Sequence, residues 1–156
     1  MSMERAKAHL ARYGLEDRIQ EFSESSATVL LAAERLGVEP ARIAKTLSFL
    51  VEDRAVLILA AGDVKVDNGK FKARFHTKAK MLSYEQVEEL VGHSVGGVCP
   101  FGINEGVPVY LDQSLRRFET VFPAVGTAAS AIELTIPELE MASEYLEWVD
   151  VTKPAG

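Results

Sequence analysis

The chain has 156 residues, 47% of them hydrophobic and 26% charged, which is the length and apolar content of one globular domain with an ordinary core. Eleven Gly and six Pro, scattered along it, exclude collagen-like and low-complexity character, and the apolar fraction excludes disorder. A net charge of -6 argues against a protein that coats duplex DNA, and no apolar run reaches the roughly 20 residues of a bilayer span, because Lys45, Asp53 and Asp63 interrupt the longest ones.

From the N-terminus, MSMERAKAHLARYG predicts a helix, with Ser2 as N-cap, Ala6, Leu10 and Tyr13 at helical spacing and Gly14 past its end. Its charges fall where a secretory signal would need an apolar stretch, and the single Cys99 cannot form an internal disulfide, so the cytoplasm is the expected compartment. Arg18 to Ser23 alternates as a short strand would. Ser26 is placed to cap a helix through Leu36, with Val29, Leu30, Ala33 and Leu36 as its apolar stripe and Gly37 as its end. Pro40 opens a brief helical turn through Ile43. Lys45 to Val51 and Ala55 to Ala61 read as an antiparallel pair of strands around Glu52, Asp53 and Arg54.

Val66 to Phe75 predicts a helix, Ser83 caps YEQVEELVG, and SVGGVCPFGINEG predicts a strand and loop. Strands follow at Val107 to Leu111, near Glu119 to Phe122 and at Ser130 to Leu134; a helix starts at Pro137, and Leu146 to Val151 closes as a strand. Helices and strands mix without regular alternation, and several strands are joined too tightly for parallel crossovers, so the fold class is α+β with a mixed, largely antiparallel sheet.

Charge is unevenly spread. Lys65, Lys70, Lys72, Arg74, Lys78 and Lys80 stand against Asp67 alone between Val64 and Met81, a local net of +5 on a body that is otherwise at -11. This pattern fits either a localised anionic ligand or a solvated helix face. Lys70, Arg74 and Lys78, four residues apart in turn, would form one helical ridge suited to phosphates.

Three features could carry chemistry. Lys45 shares a strand face with Leu47 and Phe49, so its ammonium must reach an anion, reach solvent or border a cleft. Gly96 and Gly97 open a bend stiffened by Pro100 and ended by Gly102, which is either a tight turn or a place where a substrate meets bare backbone. Asp112 ends the strand PVYLD and either caps the following QSLRRF or holds a substrate group. Cys99 and His93 could be imagined as a thiol and base, although no third group orients them, and a lone Cys in an apolar turn is usually a small buried hydrophobe. His9, His76 and His93 lack metal-ligand spacing, so no metal is expected; P-loop, dinucleotide and nucleophile-elbow patterns are absent.

SSATVLLAAERLGVEPARIAKTLSF, AGD before the lysine-rich helix, GGVCPFG, VPVYLDQSL and AVGTAASAIEL occur in an order that resembles the YbaK/EbsC family of aminoacyl-tRNA deacylases, relatives of the editing domain of bacterial prolyl-tRNA synthetases. The resemblance runs from about Phe22 to Leu139. It implies one editing domain over residues 1–156, a barrel-like mixed sheet surrounded by helices, and hydrolysis of the ester between a wrongly attached amino acid and the tRNA 3′ adenosine. It implies no metal or organic cofactor. Gly96 to Pro100 matches the family's G-x-x-x-P loop and Lys45 its signature lysine, with Thr46 beside it. By position, Lys45 would meet the ester or terminal phosphate and the Gly96 backbone the ester, a ribose hydroxyl or water. Phe22, Ala27, Thr28, Thr46, Gly97, Pro100 and Asp112 would bind substrate, while Lys70, Arg74 and Lys78 would bind tRNA. Delivery by an aminoacyl-tRNA synthetase stays open, as does a non-catalytic module that binds nucleotides or RNA ends on the same fold. Ala124 to Ala131 is uncharged where some cysteine-handling members are polar or acidic, so the amino acid removed is left among alanine, serine, threonine and cysteine.

Overall fold

The segment RAVLILAA is buried at every position after its arginine, which is what a central strand with both faces covered requires. The computed structural model describes residues 2–24, 28–94 and 96–155. In chain order its elements are α1 (Ser2–Ala11), β1 (Gln20–Glu21), α2 (Val29–Leu36), β2 (Ile43–Val51), β3 (Arg54–Ala61), β4 (Val64–Val66), α3 (Asn68–Phe75) and α4 (Tyr84–Gln86), which runs on as a π-helical turn, Val87–Val91. Then come β5 (Val109–Asp112), β6 (Thr120–Pro123), β7 (Ser130–Ala131), β8 (Leu134–Thr135), α5 (Ile136–Ser143), β9 (Glu147–Val149) and β10 (Thr152–Pro154).

Six strands form a mixed sheet in the order β8-β6-β2-β3-β5-β9, curled into a half-barrel, and two small antiparallel sheets, β1-β7 and β10-β4, flank it. Among the described residues four of the seven pairings are antiparallel. The expected α+β class with a mixed, barrel-like sheet is what the chain adopts. Glu52 and Asp53 both take positive φ, 51° and 64°, so the β2–β3 hairpin closes in two residues and pairs Val51 with Arg54. That register fixes which β2 side chains face which layer.

One face of the sheet packs a large core that includes Leu57, Leu59, Leu111, Phe101 and Leu139. The other carries an aromatic chain, Phe49 to Phe71 to Phe75 to Tyr110, with centroids 4.8, 4.7 and 5.2 Å apart. Burying each such side chain is worth about 1.5–3 kcal/mol, so α3 is held by Phe71 and Phe75 rather than by its polar remainder.

Several elements differ from the sequence expectation. The Arg18–Ser23 strand shrinks to β1, because the chain is still in a tight turn at Glu16–Arg18. The cap of α2 is Thr28, whose hydroxyl accepts from the Leu31 N–H at 3.1 Å; Ser26 lies outside the described residues. Leu30 is exposed, and the buried side of α2 is Ala33 with Val29, Ala32 and Leu36. The helix expected from Val66 starts at Asn68, since Asp67 accepts from the Lys70 N–H and Val64–Val66 pairs with β10. No strand forms among the described residues of SVGGVCPFGINEG. Ser130 to Leu134 divides because Ser130–Ala131 joins β1 while Leu134–Thr135 joins β6; the closing strand shortens to β9, which pairs with β5, and a further strand, β10, follows it and pairs with β4. Ser83 caps α4 as expected, in a reciprocal box with Gln86.

Candidate functional site

β2 is paired on its outer edge at two places. Ile43 and Ala44 pair with β6, and Phe49 bridges Met81, where the Leu50 N–H donates to the Lys80 carbonyl at 2.8 Å and the Leu82 N–H to the Ser48 carbonyl at 3.2 Å. Between them, Lys45, Thr46 and Leu47 have no strand on that side among the described residues. Ser48 and Leu50 turn their main-chain groups outward, so by alternation Thr46 does too. A cavity of about 260 Å³ lies against this gap, and Thr46 and Ser48 border it from one strand face. The Thr46 hydroxyl is buried there and has no hydrogen-bond partner among the described residues.

Lys45 borders the same cavity, and so does Gly96. The lysine is half-buried, and its ammonium donates to the Val64 carbonyl, the one hydrogen bond it makes among the described residues. Burial pulls its pKa below the ordinary lysine value, partly offset by the charge of nearby Asp63. Asp63 is itself gripped by Arg117, whose two N–H groups reach its oxygens at 2.5 and 3.0 Å and hold the acid below its usual range. The ammonium therefore has donor capacity left over beside an empty space.

The glycine-rich bend divides its labour. Gly96 has φ 99° and borders the cavity. Gly97 and Gly102 serve packing: a Cβ on Gly97 would lie 2.5 Å from the Gly126 backbone, and one on Gly102 would lie 2.4 Å from the Arg5 carbonyl oxygen of α1. The Gly102 N–H donates to His9 Nδ1 at 3.0 Å, which leaves Nε2 as the donor to the Ala142 carbonyl at 2.6 Å. The loop is thus tied to α1 and α5. Facing it, the Ser130 hydroxyl accepts from the Val125 N–H at 3.0 Å and donates to the Thr127 carbonyl at 3.1 Å, shaping a turn whose Ala124 and Thr127 form another wall.

Of the residues expected at the site, Lys45, Thr46, Gly96 and Thr28 meet at this cavity. Gly97 supports it from behind, and Pro100 is buried away from it. Phe22 does not line it, although its N–H anchors the Ala129 carbonyl at 2.8 Å and so braces the far wall. Ala27 lies outside the described residues. Asp112 is a correction. It is fully buried, does not line the cavity, and its carboxylate accepts from Ser114 N–H (2.9 Å), Val151 N–H (2.9 Å) and Thr152 O–H (2.7 Å), so it caps and fastens the C-terminal strands.

The basic ridge is a second correction. α3 ends at Phe75, and His76 turns left-handed at φ 62°, so Lys78 leaves the helix that carries Lys70 and Arg74. Lys70 pairs with Asp150 at 3.0 Å, and Arg74 pairs with Glu147 and lies over the Phe75 and Tyr110 rings. The thiol and base also fail as a dyad: Cys99 is fully buried, burial pushes its thiol up to about 12, and His93 gives its Nε2–H to the Phe101 carbonyl at 2.7 Å.

Sequence reasoning missed Ser48, Met81 and Tyr84, all at the cavity. Ser48 could have been found from Thr46 by the two-residue strand period. Met81 had no such signal, because the segment that brings it to β2 is a single bridge rather than a strand.

Comparison with known proteins places these features in a family. The model of the aminoacyl-tRNA editing domain matches residues 23–142. The uncharacterized protein YwhH of Bacillus subtilis (strain 168) is 51% identical over 98% of each chain. A protein of Enterococcus faecalis, provisionally named as the Cys-tRNA(Pro)/Cys-tRNA(Cys) deacylase EbsC, is 28% identical over 84% of this chain and 80% of its own. A solved structure provisionally described as a trans-editing enzyme for prolyl tRNA synthetase superposes with a TM-score of 0.87 at 31% identity, over 97% of each chain.

Proposed function

This chain belongs to the family of aminoacyl-tRNA editing domains, and from that membership we propose that residues 1–156 work as one metal-independent trans-editing deacylase in the cytoplasm. The reaction is hydrolysis of the ester that joins a mischarged amino acid to the tRNA 3′ end. The observation that carries the assignment of roles is that Lys45 and Gly96, 51 positions apart, border one small cavity at an open stretch of sheet edge.

In this reading the aminoacyl group enters the cavity with its carbonyl carbon between Lys45 and the Gly96 bend. Water attacks that carbon, forming a new C–O bond. The oxyanion is stabilised by the Lys45 ammonium and by main-chain N–H groups of the Gly96 bend and Thr46. A bend carbonyl or a substrate hydroxyl orients the water. The ester C–O bond then breaks, the ribose oxygen takes the proton lost by water, and a free amino acid and an uncharged 3′ end leave. An aminoacyl ester is activated, so positioning and charge stabilisation suffice without a covalent nucleophile.

Independence from metal is supported by the donor set: among the described residues the walls offer hydroxyls, amides and an ammonium, and no imidazole, thiol or carboxylate. The wall of Ala124, Thr127 and Ala131 is small and neutral, which favours a small side chain in the substrate. A deacylation panel of tRNAs charged with alanine, serine, threonine, cysteine and proline tests both points, with chelator present and absent. Hydrolysis of one or more small-residue tRNAs in chelator is the expected result. Binding without product across the whole panel would turn the reading to a non-catalytic module.

A further inference from the structure

Met81 and Tyr84 border the cavity yet remain 58% and 75% exposed. Both are fixed through the backbone, Met81 by its bridge to Phe49 and Tyr84 as the first residue of α4 behind the Ser83–Gln86 cap. The tyrosine ring makes no ring or cation contact among the described residues. Anchored apolar surface held open beside a cavity marks a place where something flat or apolar is received. The size of the cavity narrows what that is. At about 260 Å³ it falls below the roughly 300–1,000 Å³ of pockets that enclose a whole drug-sized ligand, so an amino acid and its ester fit while an attached nucleobase stays outside.

Charge points the same way. Lys78 and Lys80 lie immediately before Met81, both exposed and neither in an ion pair among the described residues, in contrast to Lys70 and Arg74 on α3. We propose that Met81 and Tyr84 form a stacking shelf for the terminal base of the aminoacylated RNA, with Lys78 and Lys80 receiving the phosphates that lead to it. The proposal rests on the deacylase reading above and adds to it the path of the nucleic acid. An aromatic face accepts any base, so the shelf positions the 3′ end without reading its sequence.

The test uses a minihelix RNA ending in CCA with alanine joined by a non-hydrolysable amide, and the same RNA with an abasic final nucleotide. Wild type is expected to bind the abasic RNA about tenfold more weakly. Tyr84→Ala should bind the intact RNA about tenfold more weakly and no longer distinguish the two, while Tyr84→Phe keeps the distinction. Replacing Lys78 and Lys80 together with Ser should flatten the dependence of log affinity on log salt by about 1.4, and Lys70→Ser should leave it unchanged. A Tyr84→Ala protein that still discriminates, or a double lysine variant with an unaltered slope, overturns the shelf. Turnover of the ester-linked minihelix by wild type is measured in parallel: discrimination without turnover refutes the deacylase reading alone, and turnover without discrimination refutes the shelf alone.

Discussion

Lys45 and Asp112 are both charged side chains that strands carry toward the interior, and they differ in how fully they are paired. Asp112 spends its carboxylate on three donors and does not line the site cavity. Lys45 gives its ammonium one carbonyl, carries a lowered pKa from burial and borders empty space. A saturated buried charge is a fastener, whereas a buried charge with unused donors has been left for a ligand to complete. In isolation the sequence makes both look like candidate site residues.

The largest effect that would sharpen this contrast is on catalysis. Lys45→Ala should lower deacylation about 100-fold to 1,000-fold at an unchanged fold, measured as single-turnover hydrolysis alongside circular dichroism. An unchanged rate would erase the distinction. Next comes Asp112→Ala, which strands buried donors at Ser114, Val151 and Thr152. It should cost about 3 kcal/mol, lowering Tm by roughly 6–12 °C, while activity per folded molecule stays near wild type. If activity were lost with stability intact, Asp112 would move from the fastening group to the catalytic one.

A smaller effect separates the two by pH. Since burial lowers the Lys45 pKa in the folded chain, the unfolded chain binds that proton more tightly. Stability gained from this group therefore rises with pH between the folded value and the ordinary 10.5, and Lys45→Met should abolish that rise in denaturant titrations. The catalysed rate, corrected for spontaneous ester hydrolysis, should fall on the alkaline side with a midpoint below 10.5. The smallest effect is on Cys99→Ala, expected to change hydrolysis by less than about twofold, with wild-type Cys99 resisting alkylation at pH 8 because its thiol is pushed up to about 12.

Local rules carried the long β2–β3 hairpin, the Ser83 cap and the end of α2 at Gly37, because each depends on neighbours in the chain. They failed where a partner strand decides the outcome. Val66 looks like the start of a helix until β10 pairs with Val64–Val66, and Ser130 to Leu134 is cut in two by the demands of β1 and β6. Lys45 and Gly96 came from their chemistry and the family resemblance together. The expectation of a continuous helical ridge failed because spacing alone does not reveal that His76 turns left-handed or that Asp150 and Glu147 return to pair with Lys70 and Arg74. Tyr84 was hidden because an exposed tyrosine at a helix start has no pattern of its own.

The unpaired stretch of β2 at Thr46 has an evolutionary corollary. Amide groups of the main chain are common to every residue, so on the proposed mechanism the share of ester polarisation that falls to the Thr46 main chain, unlike that of the Lys45 ammonium, does not depend on which side chain the position carries. On the same mechanism, discrimination falls to the opposite wall, which Ala124 and Thr127 line. A duplicated copy of such a gene could be redirected to a different translational error by repainting that wall alone.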